Sequence, residues 1–393
     1  MSHGKGLSLE PEQRLSWLRV GIAAAFLCGL GLSWRLWISS RLFPLSPIAG
    51  FLPAVRFPLD LIWFGALLGL LSAMMVVRSR WLIPVFLVLG GLLTLWDQER
   101  WQPWFLVYYF MLAAIGFYAW TRTDSRKHTA LNMCRVVIVF TYIWSGLQKL
   151  NANFVREAWP DMAGPLFRFA PEVLKRLPPV LALVIPLMEI AIGLGLATRI
   201  FRNASVVFAA VTHMVILALL IGSGENTVVW PWNIAMAFLV VILFWQDRDT
   251  GPSAIFVSRN AGHALILLLF AVMPALSFFD FWDSYLSSAL YSGNTNQAVI
   301  YLSAEVLEHM PAAIRPHVRL SKEPYFLDMN RWSYAELNVP LYPEPRIYRS
   351  ITRQVCRWGG SSAPGQIMLR ILEKPDLFTA ERKSEFYDCE HVF

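Results

Sequence analysis

The sequence carries few charged residues for its length. Asp, Glu, Lys and Arg make up only 16% of its 393 residues, whereas soluble globular chains carry about 25%. Hydrophobic residues account for 56%, and the mean hydropathy is +0.47. This composition excludes a chain that folds mainly in water, and it predicts an integral membrane protein that crosses the bilayer several times.

Several familiar chemical signatures are absent from the sequence. Cys and His residues do not occur at the spacing of a metal site, so we predict no bound metal. A glycine-rich phosphate-binding loop and a Gly-x-Ser-x-Gly nucleophile motif are both missing. The net charge of +7 is spread over short loops and forms no long basic run. We therefore predict the lipid bilayer, and not nucleic acid, as the partner.

Apolar residues are grouped in blocks of the length that crosses about 30 Å of hydrocarbon. Windows of about 19 residues place spans near 15–37, 59–77, 81–96, 104–120, 130–150, 179–198, 203–223, 227–245 and 262–280. The sequence therefore predicts an all-α polytopic membrane bundle of about nine transmembrane helices, formed by residues 1–280.

Basic residues predict the orientation of these spans. The connections on the side of the N-terminus contain Arg78, Arg80, Arg126, Lys127, Arg199 and Arg202. The opposite connections are poor in basic residues, except that the loop after residue 150 holds nearly balanced charges. The positive-inside rule therefore predicts a cytoplasmic N-terminus, and an odd number of spans then places the C-terminus in the periplasm or lumen.

Hydropathy falls after residue 280, and turn-forming Pro, Gly and Asn residues become frequent. Within residues 281–393 we predict strands at Ala298–Leu302 and Gln366–Leu372 and a helix at Tyr348–Trp358. The sequence thus predicts a small α+β extracytoplasmic C-terminal domain.

Four cysteines are too few for a disulfide framework. Cys28 and Cys134 lie in predicted spans, whereas Cys356 and Cys389 both lie in the C-terminal domain. The last two could pair only if that domain faces an oxidising compartment, so the sequence leaves their pairing open.

The fifth predicted span carries residues that are costly in lipid. Arg135, Tyr142 and Lys149 are seven residues apart, so they share one helix face to within about 20° per heptad. An ionisable side chain in a span costs about 2.5–3.5 kcal/mol, so this face points into protein or a wet cavity. A purely structural stripe, with Lys149 reaching the interface from the helix end, is an equal alternative.

Three polar residues occur in the spans that come next. Glu189 lies in the sixth span, His213 in the seventh, and Asn233 near the start of the eighth. Glu189 could instead join helices by pairing with an Arg, and His213 could be a hydrogen-bonded core residue. Together with Lys149 they suggest a chemical hypothesis, in which a desolvated lysine is a base and the carboxylate and imidazole hold or relay the proton.

The run Tyr142–Phe154 resembles the segment that marks the vitamin K-dependent γ-carboxylase and the wider horizontally transferred transmembrane (HTTM) family. In the carboxylase this segment is succeeded by an acidic residue on the next helix and a histidine on the one after it. The resemblance covers about residues 130–245 well. The matching positions are Arg135, Tyr142, Gly146, Lys149, Asn151, Asn153, Phe154, Glu189 and His213.

This resemblance implies a nine-helix membrane enzyme whose active site opens toward the lumen or periplasm. Lys149 would be the catalytic base, with Glu189 and His213 in support. The implied cofactor is a reduced, vitamin K-like quinone or a similar lipid-soluble small molecule. On this hypothesis Arg135, Tyr142 and Asn233 bind it.

The chain departs from the family in two respects. Its C-terminal region of about 113 residues is much smaller than the carboxylase region that grips propeptides, and Asn151 and Asn153 replace acidic residues. The alternatives are a redox-associated membrane protein of the DoxX or MauE type without its own catalysis, and a structural or transport protein. The enzymatic hypothesis requires Lys149, Glu189 and His213 to line one cavity.

Overall fold

The computed structural model describes most of the chain. The described residues are 9–118, 123–167, 178–224, 226–247, 249–258, 260–319 and 324–392. Part of the charge-balanced loop after residue 150, residues 168–177, lies outside these ranges.

Helices dominate the described residues. They are α1 (Pro11–Leu32), α2 (Trp34–Trp37), α3 (Leu59–Val76), α4 (Leu82–Trp96), α5 (Pro103–Tyr118), α6 (Asp124–Lys149), α7 (Trp159–Phe167), α8 (Val184–Ala197), α9 (Arg202–Ser223), α10 (Val229–Phe244), α11 (Pro252–Phe256), α12 (Ala261–Leu267), α13 (Ala304–His309), α14 (Met329–Leu337) and α15 (Pro345–Gly359). Short 3-10 and π segments extend α8 and α12.

Six helical segments are long and apolar enough to cross a membrane. They are Pro11–Leu32, Leu59–Val76, Asp124–Lys149, Pro179–Ala197, Arg202–Gly222 and Ala261–Phe279. Three shorter apolar helices are Leu82–Trp96, Pro103–Phe117 and Val229–Phe244. Each of these segments overlaps one of the predicted spans, and together they are compatible with an integral membrane protein.

Two predicted spans differ from a single regular helix. We predicted an unbroken first span over 15–37, but α1 ends at Leu32 and a separate helical turn comes after it. At the break, the Ser33 hydroxyl donates to the Gly29 carbonyl at 2.7 Å, a local bond that competes with the helix. The last span continues past α12 as a π-helix, Leu268–Val272, and then as a 3-10 helix, Met273–Phe279.

Helix α6 lies at the centre of the bundle and packs against α1, α5, α8, α10 and α12. Of its most apolar window 72% is buried, against 22–44% for the other five long apolar segments. Two glycines permit its closest contact, which is with α8. A Cβ at Gly146 would lie 2.5 Å from the Pro186 carbonyl oxygen, and one at Gly193 would lie 2.9 Å from that of Val139. The polar face of α6 is therefore enclosed by protein.

The C-terminal region, residues 281–392, contains the predicted α+β unit. Its antiparallel sheet has the order β2-β3-β1-β4-β5, with β1 Gln297–Leu302, β2 Val318–Arg319, β3 Tyr325–Leu327, β4 Ile367–Leu372 and β5 Ser384–Asp388. Helix α15 buries Ile347, Ile351 and Val355 at helical spacing and packs against β4. The two predicted strands and the predicted helix are confirmed, and β2, β3 and β5 were not foreseen.

The C-terminal region packs against one end of the bundle, called here the tail-side end. The Glu336 Oε1 atom accepts hydrogen bonds from the amides of Leu42 and Phe43 at 2.8 and 2.9 Å. Asn294 donates to the Gln148 side chain at 2.7 Å, beside the end of α6. Lys149 therefore lies at the tail-side end.

Glu99 is buried where the C-terminal region meets the loop between α4 and α5. Its Oε2 accepts from the Tyr342 amide at 2.9 Å, and its Oε1 has no hydrogen-bond partner among the described residues. Burial, with repulsion from Asp97, raises the pKa of Glu99 from 4.5 to about 8, although Arg41 opposes this shift. The folded protein thus holds this carboxyl group in its neutral form near neutral pH.

This environment predicts a pH-dependent stability. Between about pH 5 and pH 8 the folded state binds more protons than the unfolded state, so the free energy of unfolding falls as pH rises. We expect a loss on the order of a few kcal/mol in the wild type, and a much flatter profile in Glu99→Gln. The difference between the two profiles, measured by thermal unfolding in detergent, isolates Glu99 from Glu344, whose pKa is raised to about 6. Parallel profiles would show that Glu99 is ionised in the folded state.

Candidate functional site

Lys149 ends α6, and its ammonium group is held by protein. The Nζ atom donates to both carboxylate oxygens of Glu189, at 2.9 and 2.7 Å, and to the Ser145 hydroxyl at 2.6 Å. An ammonium group has three protons, so all its donors are used. Both side chains of the Lys149–Glu189 pair are only 8% exposed. Burial strengthens the attraction and removes the solvation that would compensate for losing either partner.

A second group of hydrogen-bonded polar side chains links α6 to α10 by way of α9. The Tyr142 hydroxyl lies 2.7 Å from His213 Nε2, and His213 Nδ1 lies 2.9 Å from Asn233 Oδ1. Asn233 also donates through Nδ2 to the Val229 carbonyl at 2.8 Å, so its Oδ1 is an acceptor. His213 therefore carries its proton on Nδ1, and in the neutral ring Nε2 accepts from Tyr142. Each hydrogen bond in this second group thus has a defined donor and acceptor.

These two groups share one region between α6, α8, α9 and α10. Glu189 is close enough to interact electrostatically with both Tyr142 and His213, and Lys149 with His213. The structure thus brings together five of the six residues that the sequence singled out, including all three that we assigned to catalysis. Their catalytic and binding roles remain predictions.

The sixth residue, Arg135, lies elsewhere. It is 14 residues before Lys149, about 21 Å along the helix axis. Its guanidinium contacts Asp247 at 2.7 Å, the Asn132 side chain at 2.6 Å and the Leu243 carbonyl at 3.2 Å. The heptad spacing placed Arg135 on the correct face of α6, but sharing a face does not bring Arg135 close to the site along the helix axis. With its donors occupied at the opposite end of the bundle, Arg135 is not part of the site around Lys149.

The turn after Lys149 is held by the C-terminal region. Asn151 Nδ2 donates to the Gln148 carbonyl at 2.8 Å and to the Ser292 carbonyl at 2.9 Å, and Asn153 Nδ2 donates to the Gly293 carbonyl at 3.1 Å. The sequence placed Ser292 and Gly293 in the predicted C-terminal domain, residues 281–393, but did not predict their contact with this turn. The many polar and aromatic residues between Trp282 and Asn294 were the available signal.

Gly293 is required at this contact. Its φ is +71°, and an added Cβ would lie 3.0 Å from the Phe154 amide nitrogen. We expect Gly293→Ala to lower the free energy of unfolding by about 1–2 kcal/mol from the left-handed backbone alone, and by more because of crowding. Thermal unfolding in detergent measures the loss. Gly365→Ala is the matched control, since Gly365 has φ +72° but open space around it. Equal losses in the two variants would contradict the clamp.

A cavity beside α6 does not contain the Lys149–Glu189 pair. It has a volume of about 530 Å³ and is lined by Thr141 of α6 together with residues of α4, α5 and the last span. Lys149, Glu189 and His213 are not among its lining residues. This cavity is therefore not the one that the enzymatic hypothesis requires.

Comparisons with known proteins add no relative to this picture. No protein-family model, no curated protein and no solved structure matches the chain.

Proposed function

We propose that this protein is a nine-span membrane protein that transfers protons to or from a lipid-soluble substrate, with Lys149 as the base. The N-terminus would face the cytoplasm, and the C-terminal domain, which holds the tail-side end, would face the periplasm or lumen. The observation that carries the proposal is the Lys149–Glu189 pair, 8% exposed at the end of a central helix. Such a pair is expensive in a bilayer, and a function would explain its presence.

Two features support the topology. The six long apolar segments and three shorter ones add up to the nine spans that the hydropathy predicts. Cys356 and Cys389 form a disulfide, which persists in oxidising compartments and is rare in the cytosol. With an odd number of spans, an external C-terminal domain requires a cytoplasmic N-terminus, which the positive-inside rule predicts independently.

The contacts of Lys149 support proton transfer. Moving one proton from Nζ to the Glu189 carboxylate, whose Oε2 lies 2.7 Å away, leaves a neutral amine beside a neutral carboxylic acid. The amine lone pair can then accept a proton from a substrate. Tyr142 and His213 offer a second path, because the hydroxyl donates to an imidazole whose other nitrogen is anchored by Asn233.

No contact of Lys149 with the described residues selects a quinone over other lipid-soluble molecules. The three donors of Lys149 are saturated by Ser145 and Glu189. The cavity of about 530 Å³ is lined from the Thr141 side of α6 and not by Lys149. We therefore assign no step to a quinone, and the proposed substrate is defined only as a lipid-soluble molecule with an acidic proton.

Deuterium exchange in Lys149→Arg tests the proposal. The protein is reconstituted with a total lipid extract in D₂O, and mass spectrometry tracks deuterium uptake into extractable molecules. We expect uptake that depends on the wild-type protein and falls about 10²–10⁴-fold in Lys149→Arg, since arginine keeps the charge but cannot act as a base.

The matched control is Lys374→Arg, whose lysine also lies at the tail-side end and contacts the Ser277 carbonyl at 2.6 Å. It should exchange as the wild type does. Uptake that is absent in the wild type, or unchanged in Lys149→Arg, would overturn the assignment of Lys149 as a base.

A further inference from the structure

The cavity of about 530 Å³ adjoins α6 at Thr141, and neither Lys149 nor Glu189 lines it. Its walls are mostly apolar and aromatic, with Leu106, Tyr109 and Phe110 on α5 facing Leu269 and Phe270 on the last span. Ligand pockets have volumes of about 300–1,000 Å³ and walls of this kind. Phe281, 79% exposed, lies at the same cavity. An apolar molecule from the bilayer would find matching surface here.

The last span is irregular where it forms this wall. Leu269 and Phe270 both belong to the π-helix Leu268–Val272, and π turns are frequent at functional sites. The Trp144 indole on α6 donates to the Ala271 carbonyl at 3.3 Å, within the same turn. The irregular turn is thus held in place by α6, and its side chains line the cavity.

One end of the cavity is polar and carries no net charge. Arg346 donates through Nη1 to Asp283 at 2.8 Å and through Nε to the Gln98 side chain at 2.7 Å. An anion at this end would face the Asp283 carboxylate, and a cation would face the Arg346 guanidinium. An uncharged polar group suits such a neutral pair better than either ion.

Trp282 supplies a free donor at this end. Its indole Nε1 is shielded from solvent and has no hydrogen-bond partner among the described residues. Trp282 lines the cavity together with Asp283, Gln98 and Arg346. A buried donor without a partner costs free energy, and a ligand oxygen that displaces the atoms covering Nε1 would remove that cost.

We infer that this cavity binds a long-chain amphiphile whose uncharged, oxygen-bearing head lies at Trp282 and whose chain lies between α5 and the last span. The apolar walls would receive the chain, and the neutral polar end would receive the head. The inference does not depend on proton transfer at Lys149, because neither Lys149 nor Glu189 lines the cavity.

Photolabelling of the full-length protein tests this inference. Three diazirine probes of equal chain length are compared in nanodiscs: a hexadecyl alcohol, the corresponding carboxylate, and a hydrocarbon without a head group. We expect the alcohol to label peptides of α5 and of the last span, and to do so about fivefold more strongly than the hydrocarbon, the ratio that one hydrogen bond supplies. Trp282→Phe should bring the alcohol down to the level of the hydrocarbon.

Two tryptophan substitutions one residue apart test the location. Leu269→Trp fills the cavity and should reduce labelling about tenfold. Leu268→Trp is its control, since Leu268 is 46% exposed and does not line the cavity. Leu106→Trp on the opposite wall repeats the test if Leu269→Trp unfolds. Equal labelling by all three probes, preference for the carboxylate, or labelling unchanged in both cavity variants would overturn the inference.

Discussion

Glu189→Leu is expected to lower the free energy of unfolding by about 3–5 kcal/mol, because it leaves the Lys149 ammonium buried without a counter-charge. The pair is 8% exposed on each side, with Nζ to Oε distances of 2.7 and 2.9 Å. Only the Ser145 hydroxyl would remain as an acceptor for Nζ. Lys149→Met is expected to cost a similar amount, since it strands the carboxylate.

The double variant Lys149→Met with Glu189→Leu should recover most of this loss. Apolar replacements of similar volume remove the desolvation penalty of both charges at once, so a buried pair often contributes little net stability. Urea or thermal unfolding in detergent gives the three values needed for a double-mutant cycle. The coupling energy, which is the sum of the two single losses minus the loss in the double variant, should be on the order of 5 kcal/mol.

A surface pair provides the matched control for this cycle. Lys127 and Glu12 form an ion pair at 3.0 Å, but Glu12 is 69% exposed and Lys127 is 18% exposed. Breaking this pair, as in Lys127→Met, should change the free energy of unfolding by less than about 1 kcal/mol. If Glu189→Leu cost no more than Lys127→Met, Lys149 would have to be neutral or reached by water in the folded protein, and the buried ion pair would be rejected.

Stability and chemistry can be separated at Lys149. Lys149→Arg keeps the positive charge beside Glu189, whereas Lys149→Met removes it. A purely structural lysine would tolerate arginine without loss of any exchange reaction, and a base would not. The two substitutions therefore distinguish the structural stripe from the proton-transfer proposal on the same side chain.

The sequence predicted the Lys149 region from a cost argument. Ionisable groups in spans must find partners, and Lys149 and Glu189 found each other at 2.7 Å. The same argument placed Arg135 on the correct face, but it could not choose between Asp247 and a distant ligand. Residue spacing indicates the side of a helix on which a side chain lies. The partner that the side chain finds in the bundle depends on which acceptors the ends of the neighbouring helices supply.

The contacts made by the C-terminal region could not be read from the sequence. Strands β1 and β4 are short, nearly continuous apolar runs that contain β-branched residues, which is a local signal, so both were predicted. Strands β2 and β3 have two and three residues, too few to show a period. The bonds from Asn151 to Ser292 and from Glu99 to Tyr342 join residues more than 140 positions apart, and no local pattern encodes such pairing.

Removing the disulfide is the other change for which we expect a large effect. Cys356 on α15 is joined to Cys389, which lies just after β5, across a separation of 33 residues. In the loop-entropy model, a cross-link across a loop of this length raises the free energy of the unfolded chain by about 3–4 kcal/mol. We therefore expect Cys356→Ala with Cys389→Ala to lower the free energy of unfolding by about that amount, measured by urea unfolding in detergent.

The same two cysteines report on topology, which unfolding alone does not. If the C-terminal domain faces an oxidising compartment, both thiols should resist alkylation in intact cells and react only after a reductant is added. Cys28→Ser is the control for unfolding, because Cys28 is a free, exposed thiol in α1 and its loss removes no cross-link. Complete alkylation without reductant would place the domain in a reducing compartment. An odd number of spans puts the two termini on opposite sides of the membrane, and the positive-inside rule puts the N-terminus in the cytoplasm. Complete alkylation would therefore require one span more or fewer, or a bundle inserted in the opposite orientation.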